Sequence, residues 1–202
     1  MVSVCGMWGD DWSDESNLLG LSSVAPVEQG GTDRRYDVVF HGSHAPAKGA
    51  HWAIEVATKC PTLRFLFPFS KDCAMPVVGI KTPDNVHFVA TTWNSGLKDA
   101  VEASRCVLVP SLWSAPVEGA LIKSLALSKM VAVVDIATAF SSELPEGAVL
   151  RLPSNTALAA QVLHDAIGRE SMFESNGANW LRESGSWNQK CVRRIIDTVN
   201  AE

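Results

Sequence analysis

Two stretches of this chain bring glycine, proline, hydroxyl and charged residues together at spacings that could hold a ligand. The first is His41-Gly42-Ser43-His44-Ala45-Pro46-Ala47-Lys48-Gly49, which follows the apolar run Val38-Val39-Phe40 and leads into a helical pattern. A phosphate could sit on such a turn. Gly42 would let backbone approach it, first-turn amides would donate to its oxygens, and Lys48 would add a compact positive charge. The bland alternative is a tight strand-to-helix turn with a solvated lysine. In the second stretch, residues 107–126, a buried strand ends at Pro110-Ser111, a short loop carries Trp113 and Glu118-Gly119, and a helix with Lys123 begins near Ala120. Glu118 reads either as a ligand contact at the helix mouth or as an acid stabilised by the helix macrodipole. Lys123 reads either as a pairing or solvated lysine or as a phosphate contact.

Other chemistries find little support. Neither stretch is a G-x-G-x-x-G or Walker loop, and Ser111 lacks the G-x-S-x-G elbow of a hydrolase nucleophile. His41 and His44 have no carboxylate or thiolate at ligand spacing, so no metal site is expected, although His44 is a candidate to line the cleft. Of the seven tryptophans, Trp52 and Trp187 fall on apolar helix stripes and read as core. Trp93 and Trp113 fall on loops, where an indole could stack on a base or sugar.

The elements that must position these residues alternate regularly. The spacing predicts strands at Val38–Phe40, Leu63–Phe67, Val86–Val89, Cys106–Val109, Val131–Val134 and Ala148–Leu150. Between them, helical patterns run up to Cys60-Pro61, over Gly96–Ala103 and over Ala120–Leu127. Ser154 stands where an N-cap belongs before the stripe Leu158, Val162, Leu163, Ala166 and Ile167. Trp187, Cys191, Ile195 and Val199 repeat by fours and predict a closing helix. Strands that are apolar throughout and separated by helices predict a doubly wound parallel α/β sheet covered on both faces. Such sheets place ligands at the carboxyl ends of their strands, which here means loops 41–49, 90–95 and 110–120.

Composition bounds the rest. The 202 residues carry 17 basic against 22 acidic side chains, a net charge of −5, with no electrostatic footprint for nucleic acid or an anionic membrane. Five scattered cysteines without a C-x-x-C pair fit thiols in a reducing compartment, with Cys106 in the core. The amino terminus has no basic n-region and no apolar stretch approaches the ~20 residues of a spanning helix. A cytoplasmic protein without a transmembrane segment is expected. Residues 1–35 read as an irregular lead-in, 36–170 as the Rossmann-like domain, and 171–202 as a helical extension packed on it.

Residues 107–126, taken with Gly42–Gly49 and Asn85–Ala90, resemble the carboxyl-terminal half of a GT-B glycosyltransferase, in particular the large retaining family, family 4-like, that uses nucleotide-sugar donors. Gly42-Ser43-His44-Ala45-Pro46-Ala47-Lys48-Gly49 is similar to that family's G-R-x-x-x-x-K-G. Asn85-Val86-His87-Phe88-Val89-Ala90 is similar to its N-V-x-F-x-G. The segment from Pro110-Ser111 onward resembles P-S-x-x-x-E-x-x-G-x-x-x-x-E-A-x-A. The resemblance covers about residues 36–165. It implies a nucleotide diphosphate sugar as donor substrate, with no other cofactor. Lys48 in the Gly42-Ser43 loop would lie at the diphosphate, Thr92 at the nucleobase, and the amides around Glu118, Gly119 and Ala120 at the distal phosphate and sugar.

This chain also departs from the pattern. The family's diphosphate arginine is Ser43 here, its paired glutamates are Ala115 and Lys123, and its glycine is Glu118, with Gly119 one place late. Serine cannot replace a bidentate guanidinium, and lysine cannot accept ribose hydrogen bonds. The lead-in is too short to form an acceptor domain. The resemblance therefore implies sugar transfer, of a hexose with retention, only with a partner domain from a separate polypeptide or from a longer protein of which this is a part. No catalytic residue is assigned. The alternative is a non-catalytic GT-B-derived module that binds a nucleotide or a protein.

Overall fold

The computed structural model describes residues 35–73, 82–113, 118–137, 144–170 and 176–183, together with Lys190, Arg193, Ile196 and Asp197. Six strands form one sheet: β1 (Val38–Phe40), β2 (Phe65–Phe67), β3 (Val86–Phe88), β4 (Cys106–Leu108), β5 (Val131–Val134) and β6 (Leu150–Leu152). Their spatial order is β3-β2-β1-β4-β5-β6, and every pairing is parallel. Among the described residues, four α-helices with defined bounds pack on it, α1 (Ala50–Thr58), α2 (Leu97–Ala103), α3 (Gly119–Leu127) and α4 (Thr156–Gly168), and residues 177–183, also helical, add Leu181 to the core. The sheet is doubly wound, as the unbroken apolar strands predict.

Alternation along each strand divides the core in two. Val38, Phe40, Phe65, Phe67, Leu108, Ala132 and Leu152 face one cluster, with the inner faces of α1 and α4. Val39, Leu66, Val107, Val131 and Val133 face the other, with α2 and α3. Because both faces of the central strands are covered, those strands are apolar throughout and the period of two disappears from their sequence pattern, whereas the edge strands admit His87 and Arg151. Phe40 stacks on Phe67 with ring centroids 5.0 Å apart, and Phe69 meets Phe40 edge-on at 5.8 Å.

Two side chains tie the elements. The Asn85 amide donates to the carbonyls of Ala57, Cys60 and Leu63 at 2.8–3.0 Å, which fixes the end of α1 against the start of β3. At the amino ends of β1 and β4, Arg105 donates to Glu170 (2.9 Å), to the Ile167 carbonyl (2.6 Å) and to Asp37 (3.4 Å). The apolar core surrounds Cys60 and Cys106, and desolvation pushes their thiols up to about 11 and about 12, so both stay protonated.

Three local expectations are corrected. The last strand lies at Leu150–Leu152, two residues beyond Ala148–Leu150, because Ala148 and Val149 pack into the second cluster before pairing begins. The N-cap of α4 is Asn155, whose carbonyl oxygen Oδ1 accepts from the N–H groups of Ala157 and Leu158 at 3.0 and 3.1 Å. Ser154 instead offers its backbone carbonyl to Trp52 Nε1 at 2.7 Å, which gives the buried indole its partner. The buried stripe of α4 is Ala159, Ala160, Leu163 and Ile167, with Leu158 turned outward. Most of the expected closing helix, including Trp187, Cys191, Ile195 and Val199, lies outside the described residues, as do residues 1–34.

Candidate functional site

The strand order reverses between β1 and β4, so the loops that leave their carboxyl ends run to opposite faces, and it is at such a switch point that open α/β sheets form a ligand crevice. The two loops are joined at three points. His41 N–H donates to the Leu108 carbonyl at 2.9 Å, and Leu112 N–H to the Ala47 carbonyl at 2.8 Å. At Gly49, φ is +74°, and a Cβ built there would lie 2.1 Å from the Pro110 carbonyl oxygen. Glycine is required there twice, by the left-handed backbone and by the close approach. Gly42 has a more modest reason: a Cβ would come within 3.0 Å of the Phe40 ring and 3.6 Å of Lys48 Cβ. Its lack of a side chain makes room for the core ring.

Lys48 ends the short 3₁₀ turn Pro46–Lys48, and its ammonium donates to Glu118 Oε2 at 2.6 Å. Ser111 donates its hydroxyl to the same oxygen at 2.7 Å. The Glu118 side chain is only 9% exposed and that of Lys48 23%, so the pair is largely withdrawn from water. Glu118 occupies the N-cap position of α3, yet its side chain does not cap the helix. The carboxylate is committed to Lys48 and Ser111 while it stands at the positive end of the helix. Lys48 also lies 5.3 Å from the ring centre of Trp113, which is 51% exposed. Among the described residues, a Cβ built on Gly119 would meet nothing within 4 Å, so the first turn of α3, where helix-start amides lack intrahelical partners, is open on the side of the described residues.

A second group lies along the same helix. Ser124 donates its one hydroxyl hydrogen to the Ala120 carbonyl at 2.7 Å. Its 2.9 Å contact with His41 Nδ1 must therefore be an Nδ1–H donating to the serine oxygen, which fixes the imidazole tautomer. Nε2 then carries a lone pair, and it has no hydrogen-bond partner among the described residues although His41 is buried. Leaving such an acceptor unsatisfied costs ~1–3 kcal/mol. Burial, reinforced by the positive charge of Lys123, lowers the His41 pKa to about 4, so the ring is neutral at physiological pH. Trp93 stacks on His41 with centroids 5.3 Å apart and planes 9° from parallel, and Lys123 Nζ sits 4.7 Å from the Trp93 ring centre.

The expected site residues thus divide. Lys48, Glu118, Gly119, Ala120 and Lys123 meet along the start of α3, with Gly42 beside Lys48. Ser43 is exposed and accepts from the Ala45 N–H at 3.4 Å. Thr92 forms a capping box with Ser95, with 2.8 Å between the Thr92 N–H and Ser95 Oγ, and so shapes the turn that presents Trp93. His44 lies edge-on to Phe69. Spacing along the chain does not pair His41 with Ser124, since 83 residues separate them. The available signal was a histidine at the very end of a buried strand. Away from the crevice, a recess of about 450 Å³ lies between α2 and the strands, lined by Tyr36, Leu66, Val89 and Ala100 among others. Among the described residues, no three His, Cys, Asp or Glu side chains are grouped to hold a metal, and no helix is long and apolar enough to cross a membrane.

Comparison with known proteins places the fold. No protein-family model matches the chain, and no curated protein matches it by sequence. Solved structures do. Sucrose-phosphate synthase from Thermosynechococcus elongatus is similar over 84% of this chain and 47% of its own, with TM-score 0.60 and 16% identity. HepE from Anabaena, solved in complex with UDP, is similar over 83% of this chain and 49% of its own, with TM-score 0.61 and 15% identity. A glycosyltransferase from Rickettsia africae is similar over 80% and 46%, with TM-score 0.57 and 12% identity. The chain spans about half the length of these proteins. Its fold is the Rossmann-like fold of GT-B glycosyltransferases.

Proposed function

We propose that this chain is the donor-binding half of a GT-B glycosyltransferase, family 4-like and retaining, and that it binds a nucleoside diphosphate sugar in the crevice between β1 and β4. The observation that carries this reading is the convergence of Lys48 and the open first turn of α3 on one crevice at the switch point of the sheet. HepE, which shares the fold, has been solved with UDP and with UDP-glucose, which supports the same ligand class here. Helix-start amides and an ammonium complement a diphosphate, whose charge grows as the sugar departs. The domain would act by positioning and charge stabilisation. The acceptor would come from a second domain.

The Lys48–Glu118 ion pair favours a second reading, a non-catalytic module of the same origin, because the ammonium proposed for the diphosphate is already paired with a carboxylate inside the protein. Calorimetric titration with UDP, GDP and their sugars decides whether a nucleotide binds at all. At least one is expected to bind with a Kd below about 1 mM, and binding of none refutes the donor-site reading. Lys48→Ala should weaken that binding by ~1–3 kcal/mol. Equal affinity in the variant would mean that the diphosphate is held elsewhere.

A further inference from the structure

We infer that His41 reads a hydroxyl group of the bound ligand, accepting a hydrogen bond at Nε2, and that Lys123 and Trp93 complete this subsite. The inference rests on the nucleotide-sugar reading and specifies which part of the ligand meets which residues. His41 follows β1 directly and therefore sits at the carboxyl end of the sheet, where the two loops part. It is 8% exposed, its Nδ1–H is spent on Ser124, and its Nε2 lone pair has no partner among the described residues. A neutral nitrogen with only a lone pair cannot serve a phosphate oxygen, which also only accepts. It needs an O–H or N–H donor.

Lys123 supplies the opposite requirement. Its ammonium faces the Trp93 ring and has no carboxylate partner among the described residues, so it can donate to a ligand oxygen. A lone-pair acceptor beside an ammonium donor complements a vicinal diol, in which one hydroxyl donates and its neighbour's oxygen accepts. The half-buried Trp93 ring touches both residues, stacking on the imidazole and holding the ammonium over its π system, and so fixes the acceptor and the donor relative to one another. Both the ribose of the nucleotide and its hexose carry such a diol.

The test uses the whole chain labelled with ¹⁵N-histidine and follows the His41 ring nitrogens by long-range proton–nitrogen correlation during titration with UDP, UDP-glucose and 2′,3′-dideoxy-UDP. The ligand-free protein should show the Nδ1–H tautomer with an unprotonated Nε2. A shift of Nε2 with UDP but not with the dideoxy compound assigns the ribose. A shift with UDP-glucose alone assigns the hexose. His41→Asn keeps a donor for Ser124 but has no atom at Nε2, and it should lower affinity for the hydroxyl-bearing ligand about tenfold while leaving the dideoxy compound unchanged. Binding that leaves Nε2 unmoved, or an equal loss for both ligands in His41→Asn, overturns the inference while the nucleotide reading stands. If none of the three ligands binds, and GDP and its sugars fail to bind as well, the nucleotide reading itself fails and the inference falls with it; if only the guanosine compounds bind, the same titration is run with GDP, its hexose conjugate and 2′,3′-dideoxy-GDP.

Discussion

The two halves of the crevice treat their polar groups in opposite ways. Towards β4, Lys48, Glu118 and Ser111 satisfy one another, so cation, carboxylate and hydroxyl are spent within the protein. Towards β1, His41 and Ser124 form a chain that ends at an Nε2 without a partner among the described residues, and Lys123 faces the Trp93 indole. The first half has the character of a structural clasp between two loops, and the second that of a surface prepared for something outside the chain. The difference follows from charge. A buried carboxylate needs a cation, and Glu118 takes the ammonium of Lys48, the group proposed above for the diphosphate.

The comparison is most severely tested where the loops touch. Gly49→Ala puts a side chain into a left-handed backbone against the Pro110 carbonyl. It should destabilise the fold by roughly 3 kcal/mol or more, measured by urea unfolding. A loss under 1 kcal/mol would mean that the loops are not locked together.

Acid tests the open half. His41 holds its proton only below about pH 4 in the fold but titrates near 6.5 when unfolded, so between these values the unfolded chain is the better proton binder. Stability from this group is complete above pH 6.5 and falls as the pH drops to 4, by on the order of 3 kcal/mol. Urea unfolding across this range should show that slope, and His41→Asn should flatten it. An unchanged slope would assign the acid sensitivity to other groups.

Glu118→Gln tests the closed half. Removing the internal anion should cost about 1–3 kcal/mol of stability, since Lys48 remains partly solvated, and should raise affinity for UDP about tenfold in calorimetry. Affinity that stays the same or falls would show that the carboxylate helps the ligand rather than competing with it. The smallest effect is expected at Gly119, whose Cβ position is open. Gly119→Ala should stabilise the fold by up to ~1 kcal/mol, while a bound diphosphate at the first turn of α3 would be weakened by the added methyl.

Much of the fold is legible in the sequence because burial on both faces of a parallel sheet leaves uninterrupted apolar strands, as in Val38–Phe40, Cys106–Leu108 and Val131–Val134. Boundaries read less well where one contact outweighs pattern. Asn155 caps α4 instead of Ser154 because the Ser154 carbonyl is drawn to Trp52. At the candidate site, the glycines beside Lys48 and at the start of α3 are legible as loop signals, whereas the capping box of Thr92 with Ser95 and the Ser43 bond to the Ala45 N–H are set by local geometry that the residue pattern does not show.

The order of strands and helices, the carboxyl-end loops and their few charged residues follow from the sequence by itself, since they depend on local propensity and hydrophobic period. Only the tertiary structure decided that Lys48 meets a glutamate 70 residues away and that His41 meets a serine 83 residues away. Such pairings are set by which strands become neighbours in the sheet, and a long-range contact leaves no periodic trace in either of the segments it joins.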